Sequence, residues 1–198
     1  MRGHSVRAHF LSVLIVGVAT VAFTADVSAA PILLTSDGGG YQVKSFEPIG
    51  QTFTAEDPQV HAGLSFAVIN PQFPNDDAVE YSLFEGNGVG GALVASTSFN
   101  LVDGFAGFHL ADFSSVALTV GNQYTLVASI LGDSPYWAVN SSNTPYAGGN
   151  GVTGGQPSGQ KFALNVVPVA VPEPLSVALL GVGGVAVLAR RRLASPRK

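Results

Sequence analysis

Any chemistry in this chain has to come from carboxylates, histidines and aromatic rings, because the sequence contains no cysteine. Disulfides, thiolate zinc sites and thiol nucleophiles are therefore excluded. After the first 30 residues only two histidines remain, His61 and His109, and neither has a second histidine at metal-ligand spacing. No Gly-x-Ser-x-Gly motif is present. We expect both histidines to be ordinary strand residues, solvated or hydrogen-bonded, and predict no catalytic residue.

One group of acidic residues could bind a cation. Asp76 and Asp77 follow Asn75 in a Pro-rich segment, and Glu80 comes three residues later. Carboxylate oxygens are the ligands that Ca²⁺ prefers. The group lacks the spaced Asp/Asn/Gly pattern of an EF-hand loop, and carboxylates in loops are usually just solvated. The sequence predicts no cofactor, with a structural Ca²⁺ ion at these three carboxylates as the alternative.

Aromatic and amide side chains between residues 136 and 146 could bind carbohydrate. Sugar rings stack on Tyr and Trp faces, while Asn side chains hydrogen-bond sugar hydroxyls. The candidate residues are Tyr136, Trp137, Asn140 and Tyr146. Because Trp137 and Val139 would share one face of a strand, alternation favours a core position for Trp137. The other three are the better candidates for the surface.

Paired carboxylates would also allow glycoside hydrolysis, in which two acids flank the glycosidic bond. Eleven carboxylates lie between residues 31 and 170, and no motif distinguishes a pair among them. We therefore predict a protein that is not an enzyme, with a glycoside-active hydrolase as the alternative.

Charge is distributed unevenly along the chain. Charged residues make up only 11% of the sequence, against about 25% in an average soluble domain. Seven of the nine basic residues lie near the two ends, and residues 31–170 carry two lysines against eleven carboxylates, a net charge of −9. Nucleic acid is excluded as an expected partner, since phosphate binding needs many basic side chains.

The first 29 residues have the three-part layout of a secretory signal peptide. Arg2 and Arg7 precede an apolar run at residues 10–23, and small side chains follow up to Ala29. We predict cleavage after Ala29, because cleavage one residue later would put Pro31 just past the scissile bond. The Sec machinery is the expected export partner.

The last residues combine a short motif, an apolar segment and a basic cluster. Residues 172–174 are Pro-Glu-Pro, residues 175–189 are apolar except for one serine, and three arginines follow. As a helix the apolar segment would cover about 22 Å, which is less than the hydrocarbon core of about 30 Å. The arginines predict a cytoplasmic tail at residues 190–198, so the sequence predicts a transient transmembrane anchor.

These three elements resemble the PEP-CTERM sorting signal of Gram-negative bacteria. In that family an exosortase of the inner membrane recognises the tripeptide, removes the membrane segment, and releases or re-anchors the exported body. The resemblance implies that Pro172, Glu173 and Pro174 form the sorting motif, and that Arg190, Arg191 and Arg192 form the stop-transfer signal. It covers the tail alone, and it indicates where the protein goes rather than what its body does.

The body, residues 30–167, shows no convincing helical period and is predicted to be one all-β domain, a β-sandwich of jelly-roll type. A linker at residues 168–174 joins it to the sorting signal. The Gly-rich segment 148–159 is predicted to be a loop. The nine predicted strands are residues 51–55, 64–70, 79–84, 92–98, 108–113, 116–120, 124–130, 136–140 and 161–167. Six phenylalanines are assigned to sheet packing: Phe53, Phe66, Phe84, Phe108, Phe113 and Phe162.

The strand rhythm also resembles, more loosely, the β-sandwich ectodomains found ahead of this sorting signal. The resulting hypothesis is an exported protein at the cell surface or in the extracellular matrix, with a structural or adhesive role in exopolysaccharide. A carbohydrate-binding module is the alternative.

Overall fold

The computed structural model describes residues 29–69 and 76–169. The predicted signal peptide up to residue 28 lies outside the described residues, as do the predicted sorting motif, membrane segment and basic tail at 172–198. Within the described ranges no helix has the length and apolar character needed to cross a membrane.

The described part of the chain is built from strands, which confirms the all-β class. Its single helix has four residues. In chain order the elements are β1 (Ile32–Leu33), β2 (Gly40–Gln42), α1 (Val43–Phe46), β3 (Ile49–Thr54), β4 (Val60–Val68), β5 (Asp77–Glu85), β6 (Leu93–Leu101), β7 (Gly107–Asp112), β8 (Gln123–Ile130), β9 (Trp137–Asn140), β10 (Gly151–Thr153), β11 (Gln156–Ser158) and β12 (Leu164–Pro168).

The strands form two antiparallel sheets of six strands each. The first sheet has the order β1-β12-β4-β9-β2, and β7 also pairs with β4. Leu64 of β4 lies opposite both Leu164 of β12 and His109 of β7, so these two strands flank β4 on either side. The second sheet has the order β11-β10-β3-β8-β5-β6.

Strand alternation explains how the core forms between the sheets. On β5 the side chains of Val79, Tyr81 and Leu83 are buried, while those between them are half-buried. The first sheet contributes Leu64 and Phe66 to the same core cluster. Burying each large apolar side chain contributes about 1.5–3 kcal/mol to the stability of the fold. The apolar face of each strand therefore determines which face of its sheet packs against the other sheet.

Eight of the nine predicted strands overlap strands of the structure, and residues 116–120 do not. The N–H of Leu118 donates to the carbonyl of Pro58 rather than to a neighbouring strand. Leu118 is buried but Val120 is 57% exposed. Alternation alone was therefore an insufficient signal, because a strand also needs a partner edge.

The predicted loop at 148–159 was wrong as well, because it contains the hairpin of β10 and β11. Gly154 and Gly155 have φ of 57° and 76° at the turn, a conformation that glycine adopts without steric cost. Val152 of β10 is fully buried and anchors the hairpin. Of the six phenylalanines assigned to packing, Phe84 and Phe108 are only half-buried, and the other four are buried.

A buried tyrosine hydroxyl links the two sheets. The N–H of Leu64 in the first sheet donates to the Tyr81 hydroxyl of the second sheet at 2.9 Å. The same hydroxyl donates to the carbonyl of His109 at 3.1 Å. Burial raises the pKa of Tyr81, so the hydroxyl keeps its proton and remains a donor.

We predict that Tyr81→Phe destabilises the protein by about 1–3 kcal/mol, because the buried N–H of Leu64 loses its acceptor. The matched control is Tyr41→Phe, since the Tyr41 hydroxyl makes no hydrogen bond to the described residues. Urea unfolding of both variants measures the difference. A loss for Tyr81→Phe no larger than that of the control would contradict the assigned role.

Candidate functional site

A cleft of about 330 Å³ lies where β5 ends and β8 begins. Its lining residues are Glu85, Gly86, Asn122, Gln123 and Tyr124. Glu85 and Tyr124 face each other in the ladder between these strands. The N–H of Gly86 donates to the carbonyl of Gln123 at 2.8 Å, so the pairing of β5 with β8 itself positions the cleft.

The cleft offers hydrogen-bonding groups of both kinds. Glu85, Asn122 and Gln123 are exposed and present one carboxylate and two amides. Tyr124 is buried, and its hydroxyl accepts the N–H of Thr119 at 2.8 Å. These groups suit the hydroxyls of a sugar. Glycoside hydrolysis needs two carboxyl groups, and the five lining residues supply only one.

Buried threonines hold the connection between β5 and β6 that borders the cleft. The Thr125 hydroxyl donates to the carbonyl of Gly86 at 2.7 Å and accepts the N–H of Gly88 at 2.9 Å. The Thr52 hydroxyl lies 2.8 Å from that of Thr125. Both threonines are fully buried, and each buried pair is costly to break. The wall of the cleft is therefore fixed before any ligand arrives.

The structure does not bring the predicted carbohydrate-binding residues together at the surface. Trp137 is 0% exposed, as alternation favoured, and Tyr136 is 2% exposed, so its expected surface position was wrong. Tyr136 precedes β9, where strand alternation no longer applies, and its ring packs edge-on against Trp137 at 5.0 Å. Asn140 is half-buried and donates to the Ser65 hydroxyl at 3.0 Å. Neither aromatic ring leaves a face on which a sugar could stack.

Tyr146 is the predicted ligand-binding residue that adjoins the cleft. Its ring is half-buried, and its hydroxyl accepts the N–H of Thr54 at 3.1 Å. Thr54 lies opposite Gln123 in the ladder of β3 and β8. The Gln123 amide in turn donates to the carbonyl of Gly148 at 3.2 Å. The segment that carries Tyr146 therefore contacts a lining residue directly.

The three carboxylates of the predicted Ca²⁺ site do not share one space. Asp77 and Glu80 are three residues apart on β5, which places them on opposite faces. Asp76 accepts the N–H of Asp103 at 2.9 Å, and Glu80 accepts the Ser82 hydroxyl at 3.2 Å. Across residues 29–69 and 76–169, no three acidic or histidine side chains are grouped as a metal site. The geometry gives the Ca²⁺ prediction no support.

No family model, curated protein or solved structure matches the chain. The resemblance of the tail to the PEP-CTERM signal stays a prediction that rests on residues 172–192.

The two histidines differ in their surroundings. His61 is half-buried with a side chain that is 45% exposed, and its Nε2 lies 3.4 Å from the carboxylate of Asp112. The ring of His109 stacks on that of Phe99, with centroids 3.5 Å apart and planes at 8°. The Nδ1 atom of His109 is buried without a partner among the described residues. Burial lowers the pKa of His109. The sequence had led us to expect a solvated or hydrogen-bonded histidine; the residue is half-buried, and its Nδ1 atom makes no hydrogen bond to the described residues.

We predict that His109 makes the protein less stable in mild acid. Its folded pKa lies below the unfolded value of about 6.5. The unfolded chain therefore binds the proton first, and stability is lost as the pH falls from that value towards the folded pKa. Urea unfolding at pH 7 and pH 5 measures the loss. His109→Phe keeps an aromatic ring against Phe99 and should reduce it, whereas the control His61→Gln should reduce it less. An unchanged pH dependence in His109→Phe would refute the assignment.

Proposed function

We propose that the protein is an exported component of the cell surface or extracellular matrix of a Gram-negative bacterium. An exosortase-type system sorts it after Sec export, and its body has a structural or adhesive role in exopolysaccharide. The observation that carries the proposal is the order of elements at the tail: Pro-Glu-Pro, a short apolar segment and three arginines. The signal-peptide layout at the other end of the chain agrees with it.

The positions of Ala29 and Val169, the first and last described residues, support this proposal. The N–H of Ala29 donates to the carboxylate of Asp57 at 2.8 Å. The N–H of Val169 donates to the carbonyl of Gln59 at 2.9 Å. Both contacts are made by the connection between β3 and β4, residues 55–59, and we call this end of the body the lower end. The two predicted targeting segments are thus attached side by side, and removing them takes away no strand of either sheet.

The charge of the body is consistent with an extracellular position in a glycan matrix. With a net charge of −9 over residues 31–170, the body is repelled by anionic lipid and nucleic acid. Its contact with the inner membrane is therefore assigned to the tail, and lasts only until the tail is removed.

Processing is tested by the mass of the exported protein in strains with and without an exosortase. We expect the protein to lose its apolar and basic tail only in the strain that has the enzyme. Glu173→Gln should block this loss because it alters the tripeptide. Pro196→Ala, which changes a proline beyond the arginines, should not. An intact tail in both strains would contradict the sorting proposal.

A carbohydrate-binding module is the second candidate, and the cleft lined by Glu85, Asn122 and Gln123 favours it. Gels containing the exopolysaccharide of the host should retard the protein. Gln123→Ala and Tyr146→Ala should weaken the retardation, and the control Asn100→Ala should not, since Asn100 lies at the far end of β6. Equal migration of the protein in gels with and without glycan would exclude this candidate.

A further inference from the structure

The second sheet ends in a long strand with an open edge. β6 has nine residues and is the last strand in the order of that sheet. One side of it pairs with β5 from Leu93 to Leu101. No backbone group in β6 bonds to any other described strand on its second side. A row of backbone donors and acceptors is therefore available for a further strand.

β6 lacks most of the features by which proteins protect such edges; its one irregularity is a register shift near its first end, where Val94 has no partner on β5. Its sequence, LVASTSFNL, contains no charged residue, no proline and no glycine. The other edge of the second sheet, β11, has three residues and contains Pro157. In the first sheet β1 and β2 are two and three residues long, and β7 carries His109 and Asp112. Edges are normally blunted by short length, charge, proline or a bulge. Beyond the register shift at Val94, residues 95–101 of β6 form a regular, uncharged edge, and this sets β6 apart among the described edge strands.

The charge distribution favours a second copy of this chain as the partner. Two bodies of charge −9 repel each other where their carboxylates meet. β6 carries none of those carboxylates. The nearest acidic side chain opposite its centre is Glu80, one strand inwards, beside Ser98. If two β6 strands pair, the two β5 strands that carry Glu80 are separated by three interstrand spacings, about 14 Å. This distance exceeds the electrostatic screening length of about 8 Å in physiological salt.

The side chains of β6 are complementary to themselves about Thr97. Thr97 lies opposite the buried Tyr81, so Ala95, Thr97 and Phe99 face the core while Ser96 and Ser98 face solvent. In an antiparallel pair centred on Thr97, Ser96 lies opposite Ser98 of the copy, and Ala95 lies opposite Phe99. In these central pairs polar side chains meet polar ones and apolar side chains meet apolar ones, on the same face of the joint sheet; the next pair outwards, Val94 with Asn100, is mixed.

We propose that two copies of the protein pair through β6, antiparallel and across a two-fold axis at Thr97. The second sheets of both copies then form one continuous sheet, and backbone hydrogen bonds supply the contact. A two-fold pair is closed, so the contact gives a dimer rather than a fibre. The inference rests on the fold and does not depend on the export proposal.

The absence of cysteine from the chain allows a sharp test of the register. Thr97→Cys places a thiol of each copy opposite its counterpart, within the Cα separation of less than 7 Å that a disulfide allows. Asn100→Cys is the matched control on the same strand, because two such residues lie about 20 Å apart in this register. Under mild oxidation of the full chain in nonionic detergent, we expect Thr97→Cys to form a covalent dimer and Asn100→Cys to form none. Equal cross-linking of the two variants would overturn the register.

The mass of the particle tests the dimer itself. Sedimentation of the full chain in the same detergent should give two copies per particle. The double variant Ser96→Lys with Ser98→Lys should give one copy, since charges on an edge prevent its pairing. An unchanged far-UV circular dichroism spectrum and melting temperature show that this variant is folded. A single copy in the unmodified protein, or two copies in the double variant, would refute pairing through β6.

Discussion

The hydroxyl of Tyr81 joins two sheets that have no strand in common. It accepts the N–H of Leu64 and donates to the carbonyl of His109, so one side chain of the second sheet is bonded to two strands of the first. The surrounding core is apolar, and non-directional packing alone would let the sheets slide. A buried, paired hydroxyl has one best position, which sets the alignment of the sheets.

Aromatic contacts extend this alignment to the side of the body where β6 and β7 are both edge strands. Tyr81 packs against Phe99 of β6 with ring centroids 4.7 Å apart, and Phe99 stacks on His109 of β7. These three rings close the gap between the sheets with side chains. The closure explains why β6 offers a partner its backbone edge and not its core, and why His109 is half-buried although its strand is an edge.

The sequence predicted what local alternation can show and missed what depends on distant strands. The pattern of Val79, Tyr81 and Leu83 on β5 identified a buried face correctly, because alternation within one strand is enough to place these side chains on the same face of the sheet. The cleft residues Glu85 and Gln123 meet only because β5 pairs with β8, with two strands between them in the chain. Their sequence signal was limited to the neighbouring turns around Gly86 and Asn122. Tyr136 was misplaced because it lies just outside β9, where its carbonyl accepts the N–H of Ile69 and its ring packs against Trp137.

The lower end of the body adjoins the attachment points of the two predicted targeting segments, whereas the open edge of β6 lies along the side of the body. The cleft residue Asn122 accepts the N–H of Ala55 at 2.9 Å, and Ala55 lies two residues before Asp57, which holds Ala29. The cleft is therefore at the same end as the attachment points of both predicted targeting segments.

Under the proposed export route, an anchored body turns this end towards the membrane, and the cleft becomes open to a glycan when the tail is removed. β6 runs from that end to the opposite one along the side of the body, so its edge is open before and after processing. Pairing of two copies and binding of a glycan would then use separate surfaces, and only the binding of a glycan would depend on processing.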